Sequence, residues 1–346
     1  MIIIFIKTID NMAERKYDYS ATDFVIGQNK EGGKSKFTTT LCNAWDKAME
    51  EGVFWYSLYG VERKVLPGKY GITAQLNKKR FSERRKPDAA TQVVMPFNQE
   101  KFNFNKIKDS EVLFMLNRTD LQEERNDKII VNVSPIEYGH VLLVPNIDHG
   151  LSQILDKHSI EVAVELCLLA KSGFRIGFNS LCALASVNHL HFHAFQYDQQ
   201  LPIDISKLKL LKKNLFKLDA YMVNGYALQL VDLNIKELAS DVVAITNYLC
   251  QNNIAHNLAM CRHESVRTQT DDSALVTVFI FPKKPSPGQK DTRFANSCCF
   301  DLSGYLLLKD ESEYVEMTED SAIQILNKFT YTNEEFEKLS QNIFGL

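Results

Sequence analysis

Three histidines occupy alternate positions in the run His189-Leu190-His191-Phe192-His193, while the other five of the chain's eight are scattered. In an extended strand side chains alternate faces, so the three imidazoles share one side. Leu190, Phe192 and Ala194 share the other side, which reads as a core face. A single histidine would be read as a satisfied surface or structural residue, but packing gives no reason for three in a row opposite an apolar face. Two chemistries stand open on this run alone. Neutral imidazole is a common metal ligand, and His-x-His pairs on strands bind zinc. Alternatively, one imidazole attacks phosphorus while its neighbours orient it.

The elements that must position these histidines come from a chain of 346 residues, long enough for one large or two medium domains. Apolar residues make up 45% and charged residues 24%, an ordinary soluble composition. With a net charge of -3 and a pI near 6.3, no global pull toward nucleic acid or an anionic membrane is expected. Any phosphate-bearing ligand must therefore be met by local basic groups. The seven cysteines are scattered without a CxxC pair, and Cys298-Cys299 lacks zinc-ligand spacing. That usage suits buried thiols in a reducing compartment and predicts a cytoplasmic protein. The apolar run Met1–Ile6 is too short for a membrane span or a signal-peptide core, and Met12 opens a polar stretch resembling an ordinary cytosolic start.

Residues 1–40 read as a polar N-terminal tail centred on Lys30-Glu31-Gly32-Gly33-Lys34. A helix follows over roughly 41–51, with Leu41, Trp45 and Met49 at spacing four and Gly52 as its cap. The basic run Lys78, Lys79, Arg80, Arg84, Arg85, Lys86 reads first as a solvated loop. Beyond it, an order of elements occurs twice. In the first copy 111–116 and 129–145 are strand-like, a helix covers 152–171, and 174–179 and 187–196 are strand-like. In the second, 226–231 is strand-like, and a helix aligns Ile235, Leu238, Val242, Ile245 and Leu249. The segments 257–261 and 275–281 complete it. Short connections between neighbouring strands favour antiparallel pairing, so the fold class is α+β rather than doubly wound. Residues 41–200 form the half carrying the histidines and 201–346 a degenerate second half. That half lacks the histidines, and its strand 275–281 is apolar at alternate positions, which predicts non-catalytic packing. His256 and His263 are expected to be structural. No Gly-rich phosphate loop occurs.

The surroundings of the histidine run bring in a family. Asn132-Val-Ser-Pro135, Tyr138-Gly139-His140 leading to Val144-Pro145, Gly177-Phe-Asn-Ser180 and Ser186-Val-Asn-His189 resemble the histidine triad superfamily. Leu66-Pro-Gly68, Ala74-Gln-Leu-Asn77, Lys101-Phe-Asn-Phe-Asn-Lys106 and Phe281-Pro-Lys-Lys-Pro285 extend the likeness across about residues 40–310. Within the superfamily the chain is similar to the galactose-1-phosphate uridylyltransferase branch. Its nearest likeness there is to the GDP-hexose phosphorylases, which include GDP-D-glucose phosphorylases and plant GDP-L-galactose phosphorylases.

The resemblance implies a histidine-triad antiparallel sheet with helices, internally duplicated, and a nucleotidyltransferase that takes a GDP-hexose and inorganic phosphate. His191 is the implied nucleophile toward the α-phosphorus, forming a guanylyl-histidine that phosphate converts to GDP. His189 is expected to fix the tautomer of its neighbour, and His193 to contact non-bridging or leaving oxygens. Asn179 and Ser186 match positions that line the phosphate site, with turn or strand-end chemistry as the plainer reading of both. Asn77, Arg80 and Lys106 rise as phosphate or nucleotide contacts, and His140 stands either there or as support for its strand. The chemistry agrees with ordinary pKa values: imidazole, near 6.5, is a good nucleophile at neutral pH. The leaving phosphate monoester, with a second pKa of roughly 6, departs without strong acid help. No carboxylate cluster with metal spacing is visible, and neither metal nor cofactor is expected to be needed.

Two departures from the pattern matter. The transferase branch often has Gln at the third motif position, where this chain has His193, and hydrolysis of the intermediate is therefore an expected side activity. Many superfamily members have Gln before the Ser-Val step, where this chain has Ala185. Two rivals stay in view: a nucleotide-binding protein without transfer activity, and a metal enzyme using the three histidines as ligands.

Overall fold

The computed structural model describes residues 15–26, 34–85, 90–123, 125–263, 275–285 and 297–344. Met1–Ile6, Met12, Lys30–Gly33 and Lys86, which entered the sequence reading, lie outside them. A short strand, β1 (Lys16–Tyr19), precedes helix α1 (Lys36–Glu50). Ser35 caps α1 by accepting the Thr38 N–H, and Gly52, at φ +72°, takes the left-handed turn beyond its end. Strands β2 (Glu62–Val65) and β3 (Thr73–Leu76) and the short helix α2 (Lys78–Ser82) follow. Then come β4 (Val112–Arg118), β5 (Asp127–Val131), β6 (Val141–Val144), α3 (Lys157–Leu169), β7 (Phe174–Asn179) and β8 (Phe192–Gln196).

The next elements repeat that order: β9 (Lys207–Lys212), β10 (Leu215–Asp219), β11 (Tyr226–Gln229), α4 (Ile235–Gln251), β12 (Ala255–His263) and β13 (Leu275–Lys283). The chain ends with α5 (Cys299–Leu302), β14 (Tyr305–Leu308), α6 (Glu311–Glu316), α7 (Glu319–Phe329) and α8 (Asn333–Phe344). One eleven-stranded sheet runs in the order β1-β4-β5-β6-β8-β7-β12-β13-β11-β10-β9. Apart from the parallel β1–β4 pair, every neighbour is antiparallel. Read outward from its middle, the sheet is a palindrome. The orders β4-β5-β6-β8-β7 and β9-β10-β11-β13-β12 are the same, and they join where β7 pairs with β12. This is the predicted α+β fold with internal duplication.

Strand alternation divides the core between the two faces of the sheet. Phe192 and Ala194 of β8, with Val276, Val278 and Ile280 of β13, pack toward α1, α3, α4 and α8. Phe195, Phe279 and Phe281 pack on the other face with Leu306 and Leu326. That face also carries a small sheet, β14-β3-β2, in which β14 runs parallel to β3. The second half of the chain is thereby built into the first.

Three expectations change. Tyr17 of β1 is buried against Phe37 and Phe114, Tyr19 is buried beside it, and α1 begins at Lys36, so parts of the stretch assigned to a tail belong to the core. The basic run is not simply a solvated loop, since α2 starts it and Arg80, Arg84 and Arg85 are each only partly exposed. Finally, β8 starts at Phe192, so His189 and His191 precede the strand. Leu190 is nevertheless buried in the same core cluster as Phe192 and Ala194. Alternation across the run therefore survives without a ladder beneath its first half.

Candidate active site

His191 is held by one side chain. Gln153, in the loop before α3, accepts the His191 backbone N–H at 2.9 Å and donates to the carbonyls of His191 (3.1 Å) and Asn179 (3.0 Å). Its Oε1 is therefore an acceptor, and it lies 3.0 Å from His191 Nδ1. The His189 carbonyl lies 2.7 Å from the same nitrogen. Two acceptors at Nδ1 place the imidazole proton there, an assignment made from the hydrogen-bond pattern. Nε2 keeps its lone pair. Positive charge arriving on the ring would be stabilised by both carbonyl oxygens.

A second relay sets His193. The Ile136 N–H donates to His140 Nδ1 at 2.9 Å, so His140 carries its proton on Nε2, which lies 3.1 Å from His193 Nδ1. His193 then accepts at Nδ1 and presents an N–H at Nε2. Burial, and secondarily the charge of Arg80, hold His140 well below the usual histidine range, which keeps it neutral. The loop that carries it is pinned carbonyl by carbonyl. Arg80 donates to Ser134 O, Tyr56 to Pro135 O (2.6 Å) and Gln75 to Ile136 O (2.6 Å).

His189 has a different environment. The Phe104 N–H donates to its Nδ1 at 3.1 Å, and its ring packs against Phe97 and Phe104. Burial pushes it down to about 4, only partly opposed by the Ile147 backbone and Asp148. Its ring does not line the cavity; what it gives His191 is its carbonyl. The groups at His191 Nδ1 are the His189 carbonyl and Gln153, not the His189 imidazole from which tautomer control was expected.

The cavity before His191 and His193 is lined by Arg80, Arg84, Arg85, Asn132, Ser134, Asn179 and Ser186, among others, and by no carboxylate among the described residues. Asn179 Oδ1 accepts from Asn257 Nδ2 (2.6 Å) and the Cys299 N–H (3.0 Å), leaving its NH2 as the group to meet a ligand. Arg85 stacks 3.7 Å over Phe102 and lies 3.6 Å from Glu111. Cys298, Phe300 and Leu307 close the cavity from the second half of the chain, so that half is more than remote packing. Gly177 makes their approach feasible, because a Cβ there would lie 2.4 Å from Cys299 Sγ. Among the described residues, no group of three or more His, Cys, Asp or Glu side chains is placed to hold a metal ion.

Three predicted contacts fall elsewhere. Asn77 is buried, accepts the Arg80 N–H as the cap of α2 and donates to Pro135 O. Lys106 is exposed and donates to the Glu100 carbonyl at 2.9 Å. His140 is fully buried and does not line the cavity; it sits behind His193 and Asn132, which do. Gln153, Arg84, Arg85, Asn132 and the segment 298–307 join the site without having been expected there from sequence. The arginines were visible in the basic run; Gln153 and residues 298–307 carried no local signal. His256 and His263 are buried, with ring nitrogens 3.0 Å from Ile254 O and 2.9 Å from Ser206 O, as structural residues should be.

Fold and site define an internally duplicated α+β protein whose cavity is lined by histidines and arginines. Among solved structures the fold is similar to yeast Ap4A phosphorylase Apa2 in complex with Ap4A, with a TM-score of 0.59 at 14% identity over 86% of this chain and 98% of that one. The family models described as GDPGP1-like, N-terminal domain, and GDPGP1-like, C-terminal domain, match residues 36–195 and 201–346. GDP-D-glucose phosphorylase 1 of Danio rerio is 35% identical over 338 residues, covering 94% of this chain and 97% of that protein. The Bos taurus protein of the same name is 37% identical, covering 85% and 79%. GDP-L-galactose phosphorylase 2 of Arabidopsis thaliana is 30% identical, covering 95% and 80%. The chain belongs to the GDPGP1-like family.

Proposed function

We propose that this protein is a GDP-D-glucose phosphorylase, converting GDP-glucose and inorganic phosphate to GDP and glucose 1-phosphate through a guanylyl-histidine. The observation that carries this is the His191 ring. Its Nδ1 proton is fixed by two carbonyl acceptors, which makes Nε2 the unprotonated nitrogen, and the ring lines a cavity whose described lining residues include three arginines and no carboxylate. Nε2 attacks the α-phosphorus, the bond to the β-phosphate oxygen breaks, and glucose 1-phosphate leaves. The ring becomes cationic and is stabilised through Nδ1–H by His189 O and Gln153 Oε1. A phosphate oxygen then attacks phosphorus, the P–N bond breaks, and its electron pair returns to Nε2. The Nε2–H of His193 and the amide of Asn179 meet charge on the phosphoryl oxygens. Ser186 lines the same cavity and is assigned to the phosphate as well. The similarity to the Danio rerio and Bos taurus proteins favours GDP-glucose over GDP-L-galactose.

Among the described residues no helix is long and apolar enough to cross a membrane. The scattered cysteines suit a reducing cytoplasm, where we assign this protein the removal of misformed GDP-glucose. The test is incubation with GDP-glucose and phosphate, following GDP and glucose 1-phosphate, with GDP-mannose and GDP-L-galactose alongside. Wild-type turnover, ping-pong kinetics and a guanylyl adduct seen by intact mass are expected. Absence of turnover, or full activity in His191→Ala, refutes the reading.

A further inference from the structure

The basic groups of the cavity are not alike. Arg85 has Glu111 beside it and Phe102 beneath it, and Arg80 is anchored on the Ser134 carbonyl. Arg84 makes no hydrogen bond or ion pair with a described residue, and its guanidinium carbon lies 5.6 Å from the centre of the Phe81 ring. Burial, then the like charge of Arg80, hold the Arg84 guanidinium below its ordinary range. Two neighbouring guanidiniums with no carboxylate paired to either among the described residues are a costly arrangement in a folded protein, and an anion relieves it.

Stereochemistry says where such an anion belongs. In each half-reaction of the proposed mechanism, the group opposite His191 Nε2 on the phosphorus is a phosphate oxygen. It leaves as glucose 1-phosphate in the first and enters as inorganic phosphate in the second. In-line displacement puts both on the same side of the α-phosphorus. One anion subsite therefore serves leaving group and acceptor.

The geometry points to Arg84, with Arg80, as that subsite: the place where inorganic phosphate binds to the guanylyl-enzyme and outcompetes water. This rests on the phosphorylase reading and deepens it. The step balances without another reactant. The phosphate oxygen forms the new P–O bond, the P–N bond returns its pair to His191 Nε2, and the phosphate's own proton stays on the β-phosphate of GDP. Water, being neutral, gains nothing from Arg84, so the guanidinium separates the two acceptors by charge.

The experiment measures how the intermediate divides. Purified protein is given GDP-glucose over a range of inorganic phosphate concentrations, and GDP and GMP are counted as the phosphorolysis and hydrolysis products. Their ratio depends only on the fate of the shared intermediate, so slower adduct formation in a variant does not distort it. Arg84→Ala is expected to raise the phosphate KM roughly ten- to hundredfold, the loss of a charge-assisted contact. The GMP to GDP ratio at fixed phosphate should rise by a similar factor. Arg84→Lys should recover part of the loss, and Lys79→Ala, on the exposed side of α2, should behave as wild type. Arg84→Gln keeps a polar stem without the charge and serves if the alanine variant does not fold. Wild-type turnover with a phosphate KM and product ratio within twofold in Arg84→Ala or Arg84→Gln overturns the subsite alone. A wild type that forms neither GDP nor adduct overturns the phosphorylase reading and the subsite with it.

Discussion

Strands β8 and β13 hold equivalent places in the two halves of the sheet, yet β8 carries a residue of the proposed site and β13 carries packing. Both send alternate residues to the helical face: Phe192 and Ala194 from β8, Val276, Val278 and Ile280 from β13. On the opposite face, β8 presents His193 ahead of Phe195, whereas β13 presents Thr277, Phe279 and Phe281. The backbone plan is therefore neutral about function. What marks β8 is the approach to it, where Gln153 grips His191, and the His140 loop that grips His193. The second half instead supplies walls and anchors, with Asn257 and the Cys299 N–H holding Asn179.

The contrast predicts a double dissociation as its largest effect. His191→Ala should lower turnover by on the order of 10⁴-fold or more while leaving the denaturation midpoint close to wild type. Phe279→Ala, fully buried in the second half, should cost roughly 3–5 kcal/mol of stability by denaturant titration and leave kcat per folded molecule intact. If the two effects were exchanged or shared, the division of labour would not stand.

Gln153→Leu comes next. It removes the side-chain acceptor from Nδ1 and the clamp on the His191 backbone, so kcat should fall by roughly 10²-fold with a smaller change in the GDP-glucose KM. Steady-state kinetics decide it; an equal loss in KM alone would make Gln153 a binding residue.

Acid stability sharpens the comparison from the other side, since both halves bury neutral histidines. Burial pushes His189 and His256 each down to about 4. The unfolded chain takes protons near pH 6.5 and the folded one does not, so this stability is present above about 6.5 and is lost as pH falls toward 4. For fully buried His256 the span is at most ~3 kcal/mol. Thermal melts should show the stability advantage of wild type over His256→Gln shrinking between pH 7.5 and 4.5. A gap independent of pH would show that His256 is not held neutral.

The smallest effect tests whether the second half reaches the site through Asn179. Asn257→Ala removes the 2.6 Å bond to Asn179 Oδ1 and should reduce kcat/KM about tenfold, the worth of one buried hydrogen bond. No change in kcat/KM would confine the second half to support.

Much of the architecture was legible because it is written in periodicity. The buried positions Ile235, Leu238, Val242, Ile245 and Leu249 of α4 are those the spacing predicts, and the repeated element order reappears as the palindromic sheet. Errors came where a local reading met a tertiary decision. Tyr17 and Tyr19 sit in a polar stretch but pair with β4, whose ladder supplies what the segment lacks alone. Asn77 and Lys106 lie in segments that resemble the family, yet one caps a helix and the other holds a surface turn.

By itself, then, the sequence determined the alternating faces around the histidines, the duplication and the family, all of which follow from residue type and spacing along one dimension. Only the tertiary structure decided that His189 acts through its carbonyl, that Gln153 is the clamp on His191 and that residues 298–307 close the cavity. It also decided which cations of the basic run reach that cavity. These depend on contacts between segments tens to hundreds of residues apart, and no local propensity records which backbone groups a fold will bring within hydrogen-bond distance.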